Sequence, residues 1–94
     1  MQIENMQILS KSFSGENILG DIKLFLGGLK KKNGDKSGFH LVHALVFSKD
    51  MTESEIFTIN QGLGSIYRAT GFDVLGGDTS SGKELCVFIS TIVF

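Results

Sequence analysis

Eleven residues at one end of the chain, Glu84 to Phe94 (ELCVFISTIVF), are apolar or β-branched at nearly every position. A run of this length and composition suits a strand that is apolar on both faces, and it commits the chain to a sheet. Phe39 to Phe47 (FHLVHALVF) repeats the pattern and predicts a second strand buried on both faces. The last run stops on Phe94 with neither a turn nor a polar cap. A strand left in this way offers a sticky edge, so the natural protein is expected to continue or a partner to cover it.

Two helices are expected beside such a sheet. From Gly15 onward, Ile18, Leu19, Ile22, Phe25, Leu26 and Leu29 recur at steps of three and four and make one apolar face, with Ser14 as the candidate cap. Lys30, Lys31 and Lys32 place positive charge where the helix carbonyls lack partners, and Asn33-Gly34 ends the helix. Thr52-Glu53-Ser54-Glu55 reads as a capping box, in which hydroxyl and carboxylate each accept from the other residue's amide. Ile56, Ile59, Leu63, Ile66 and Tyr67 form the buried stripe of this second helix, and Gly71 terminates it. Phe72 to Leu75 reads as a short strand and Gly76 to Gly82 as a Gly/Ser-rich loop. Met1 to Phe13 shows no clean period, and residues 1–14 carry no assignment. The expected fold is one α+β domain over residues 1–94: a small mixed sheet with two helices packed on one face, a hairpin-like junction across the glycine loop, and strands extended by dimerisation.

Charge and patterning exclude several functions. With 9 Lys+Arg against 10 Asp+Glu, the chain has no broad basic field for nucleic acid. No apolar stretch reaches the ~18 residues of a membrane span, and the start lacks the layout of a signal peptide. The lone Cys86 has no disulfide partner and no metal-ligand spacing, which favours a reducing, cytoplasmic setting. His40 and His43, three apart on a strand, point to opposite faces and cannot share one metal.

Chemistry concentrates in Gly76-Gly77-Asp78-Thr79-Ser80-Ser81-Gly82-Lys83. Gly77, Gly82 and Lys83 satisfy the spacing of a phosphate-cradling P-loop. Glu84, however, stands where a Ser or Thr should hold Mg²⁺, and a strand follows where that loop needs a helix. A second reading has the two glycines letting the backbone pass close to a polyphosphate, while Asp78 offers a carboxylate to Mg²⁺ beside the Thr79 hydroxyl. A third is a plain hairpin turn stabilised by side-chain-to-backbone hydrogen bonds.

The run from Met51 to Phe94, a capped helix followed by GFDVLGGDTSSGKELCVFISTIVF, resembles the N-terminal domain of thiamine-monophosphate kinase. That family lies within the ATP-binding superfamily that includes aminoimidazole ribonucleotide synthetase, and the resemblance is strongest over residues 41–94. It implies transfer of the γ-phosphoryl of ATP onto thiamine monophosphate, with catalysis by positioning and charge neutralisation. Asp78 corresponds to the family's metal-binding aspartate, and Gly76, Gly77 and Thr79 to the loop that shapes the nucleotide site. ATP and Mg²⁺ are the implied cofactors, and a homodimer through apolar strands the implied assembly. This chain departs from the family in having Ser81 where a basic residue is usual, with Lys83 nearby, and in lacking the adjacent N-terminal aspartates, of which Gly20-Asp21 is a remote echo. The family's C-terminal domain is also missing. The reading is therefore a truncated or degenerate ATP/Mg²⁺-binding domain, inactive on its own; the alternative is a non-catalytic dimerisation or interaction module.

Overall fold

The structure, a computed structural model, describes residues 6–94; residues 1–5, part of the segment without an assignment above, lie outside the described residues. Strand β1 (Gln7–Ser14) leads through helix α1 (Ile18–Lys32) to β2 (Phe39–Ser48), and α2 (Glu53–Thr70) follows, then β3 (Asp73–Gly82) and β4 (Cys86–Val93). The four strands form one mixed sheet in the order β1-β4-β2-β3. Strand β4 runs antiparallel to both β1 and β2, whereas β2 and β3 are parallel. Each helix is therefore the crossover between two strands of the same direction, as parallel strands require. The fold is α+β, as the patterning implies.

Period-two alternation sorts the strand residues. Phe39, Leu41, Leu45 and Phe47 of β2 and Val87, Ile89 and Val93 of β4 are buried with Ile18, Ile22 and Leu26 of α1 and Leu63, Ile66 and Tyr67 of α2. Thr91 is wholly buried in the same layer, and its hydroxyl donates to the Leu9 carbonyl at 3.1 Å, so β1 and β4 are joined by a satisfied polar group. Helix α2 starts as expected: the Thr52 hydroxyl accepts from the Glu55 amide at 3.1 Å, and the Glu55 carboxylate accepts from the Thr52 amide at 3.0 Å. It ends at Gly71, whose φ of 76° is left-handed. Helix α1 is capped by Asn17 without a side-chain bond, so Ser14 is not its cap. At the other end, Asn33 folds its side chain back to donate to the Leu29 carbonyl at 3.0 Å.

Three expectations are corrected. The strands are not buried on both faces: the helices cover one, and on the other Phe88 and Val42 are 47% and 38% exposed. The final strand is not an open edge either, because β1, drawn from the unassigned segment, pairs along its whole length on the side away from β2. Lastly, Gly76 to Gly82 is not a loop but the second half of β3, and no hairpin joins β3 to β4, since β2 lies between them. No helix among the described residues is long and apolar enough to cross a membrane.

Candidate functional site

Gly76, Gly77, Asp78 and Thr79 lie in the middle of edge strand β3, paired with Val42, His43, Ala44 and Leu45 of β2 respectively. The ladder slips by one residue between Leu41 and Val42, leaving Leu75 as the extra residue of a bulge just ahead of the two glycines. Register then fixes the faces. Gly76 and Asp78 share the open face with Val42 and Ala44, while Gly77 and Thr79 share the helix-covered face with His43 and Leu45. Asp78 and Thr79 therefore do not form one ligand pair; they point to opposite sides of a strand whose outer edge is unpaired.

Asp78 is exposed, and its Oδ1 accepts from the Thr79 amide at 2.9 Å. Its other oxygen makes no hydrogen bond or ion pair among the described residues. A hard divalent cation needs six or more oxygen ligands. No group of three His, Cys, Asp or Glu side chains gathers among the described residues. One carboxylate fits a magnesium ion as a single ligand, and these residues do not by themselves assemble a metal centre. Asp21, the echo of the missing acidic motif, lies instead by a separate depression with Lys11, Ser12, Ser14 and Phe25.

The two glycines have different reasons to be there. Nothing lies within 4 Å of a Cβ built on Gly76, but one on Gly77 collides with the His43 ring, 2.8 Å from Nε2. His43 Nδ1 in turn lies 2.9 Å from the Tyr67 hydroxyl of α2, with the rings 5.4 Å apart. Burial lowers the His43 pKa from its ordinary value and pushes that of Tyr67 well above the usual phenol range, so both are neutral near pH 7. Sequence reasoning missed this pair because its members are 24 residues apart and carry no local signal. His40 takes the opposite face, stacked on Phe94 at 5.4 Å with Nδ1 3.9 Å from the Asp73 carboxylate.

Lys83 sits away from these residues. With Ser48, Lys49, Asp50, Ser81 and Gly82 it lines a depression of about 370 Å³ at the C-terminal ends of β2 and β3, where open parallel sheets collect ligands. Gly76 to Thr79 do not line it.

No family profile matches the sequence, and no curated protein sequence matches it. Solved structures do share its fold. The HypE–HypF complex matches with a TM-score of 0.71 at 16% identity, over 99% of this chain and 34% of that one. Thiamine monophosphate kinase from Aquifex aeolicus matches with a TM-score of 0.64 at 11% identity, over 94% of this chain and 33% of that one. The hydrogenase maturation protein HypE in complex with ATP matches with a TM-score of 0.64 at 13% identity, over 94% and 30%. The chain thus spans about a third of the length of the proteins it matches. At these identities the likeness defines the fold.

Proposed function

We propose that residues 1–94 act as the N-terminal ATP- and Mg²⁺-binding, dimer-forming domain of a kinase that phosphorylates thiamine monophosphate, inactive without the rest of that enzyme. The observation that carries this reading is the coincidence of two things: a fold shared with an ATP-bound HypE and with thiamine monophosphate kinase, and an exposed carboxylate, Asp78, on an edge strand at Gly-Gly-Asp-Thr. Asp78 contributes one oxygen to the metal, which when bound neutralises charge on the phosphate chain. Gly76, with open space where a side chain would stand, lets the nucleotide approach the backbone. Thr79 clamps Asp78 through its amide and offers its hydroxyl on the other side of the strand. Lys83, at the strand end, is placed to meet an outlying phosphate. With a single carboxylate, this chain alone is expected to show no turnover.

The open sheet face supports the dimer. Ile8, Val42, Leu75 and Phe88 are exposed there or at its edge, and Met6, His40, Leu75, Ile92 and Phe94 line an apolar depression of about 260 Å³. A surface of that kind marks a contact, and a second copy of the sheet is the occupant proposed. The same face favours the second reading, a dimerisation module that has lost nucleotide binding. Calorimetric titration with Mg²⁺ and the ATP analogue AMPPCP separates the two. Saturable binding that Asp78→Asn weakens supports the ATP domain; no binding at millimolar ligand by a protein that still dimerises supports the module.

A further inference from the structure

The His43–Tyr67 pair, under strand β3, is polar where packing alone asks for none. Both rings lie between the sheet and α2, and two apolar rings of the same size would fill the space without the cost of desolvating a hydroxyl and an imidazole. The hydrogen bond ties the ring tautomer to the direction in which the hydroxyl donates. His43 is the sole hydrogen-bond partner of the Tyr67 hydroxyl among the described residues, and a buried hydroxyl with one partner is satisfied by donating. With Tyr67 donating to Nδ1, the neutral imidazole carries its own proton on Nε2. That nitrogen makes no hydrogen bond among the described residues, and it lies 2.8 Å from the spot that a Cβ at position 77 would occupy. Because residue 77 is glycine, the Cδ2–Nε2 side of the ring can lie against β3. Thr79, two residues on, shares that face.

We propose that His43 is a ligand-contacting residue whose Nε2–H, presented across the side-chain-free Gly77, donates to a phosphate oxygen of the nucleotide bound along β3, with Tyr67 as the positioning residue that sets the tautomer. This inference rests on the nucleotide reading above and adds a residue from a different element, on the face opposite Asp78. It also gives Gly77 a specific role: any side chain there displaces the imidazole from its place under the strand.

The test uses the whole chain labelled with ¹⁵N-histidine, observed by long-range ¹H–¹⁵N spectra with and without Mg²⁺ and AMPPCP. Without ligand, His43 is expected as the Nε2–H tautomer; with ligand, Nε2 shifts while Nδ1 stays. His43→Phe keeps an aromatic ring under Gly77 and is expected to weaken AMPPCP binding about tenfold, as loss of one hydrogen bond to a charged group does. Tyr67→Phe keeps the imidazole, and an Nδ1–H signal is expected to appear as the tautomer is released. An unliganded Nδ1–H tautomer in the natural sequence overturns the proposal. So does an Nε2 resonance unmoved at saturation, or His43→Phe binding as tightly as the parent, while amides of Gly76 to Thr79 still shift; the nucleotide reading then survives without His43. If no amide of β3 responds at all, the nucleotide reading fails and this inference with it.

Discussion

At Gly77 it is a neighbour, not the backbone, that forbids a side chain. Among the described residues only Gly15 and Gly71 have positive φ, so an alanine at 77 is unstrained in conformation but collides with the His43 ring and the β2 backbone. Gly77→Ala is expected to lower stability by about 1–3 kcal/mol, the usual cost of overpacking. Gly76→Ala meets nothing and is expected to change little; urea midpoints of the two variants check the contrast. His43 also sets a pH dependence. Its native pKa is lowered by burial, so as pH falls below the ordinary 6.5 the unfolded chain takes up a proton that the native ring refuses. The stability it contributes is whole above that value and is lost as pH falls through the native pKa. His43→Phe is expected to flatten the stability profile in that window, read from unfolding midpoints across pH. What was legible at this scale was local: the Thr52–Glu55 box and the left-handed Gly71 depend on residues three and four apart. The His43–Tyr67 bond depends on a crossover bringing β2 and α2 together, and no short-range pattern encodes it.

Among the elements, β3 departs furthest from its sequence pattern and carries the proposed site. DVLGGDTSSG has the composition of a turn, and most of its residues are exposed, because an edge strand with only part of one face under a helix needs few apolar side chains. What makes it a strand is its parallel ladder to β2, a long-range interaction. Strand β1 carries no local pattern for the same reason, since Phe13 is its sole buried residue. Both helices and the two apolar strands were legible from periodicity, but the strand order was not, because β4 inserts between β1 and β2. This placement has a measurable consequence. Amides of β4 and β2, bonded on both sides, are expected to exchange slowest with deuterium, and those of β3 that face its free edge to exchange rapidly. Uniformly slow exchange along β3 would show that a partner covers that edge.

For the whole molecule, the sheet is unevenly covered. One face is sealed by two helices; the other leaves Val42 and Phe88 in contact with water, with Ile8 on the flanking strand. If a second copy covers that face, as proposed, Val42→Lys with Phe88→Lys is expected to turn a dimer into a monomer in sedimentation without unfolding it. A parent chain that sediments as a monomer throughout the accessible concentration range contradicts this assembly. The Asp78 carboxylate was legible as an exposed group in the candidate motif, whereas its setting on a strand edge was not. That setting makes the central claim open to direct measurement: amide shifts of the ¹⁵N-labelled protein during titration with Mg²⁺ and AMPPCP. Saturable shifts confined to β3 around Gly76 to Thr79 and to its β2 neighbours, abolished in Asp78→Asn, are expected; β3 resonances unmoved at millimolar ligand would overturn nucleotide binding at this strand.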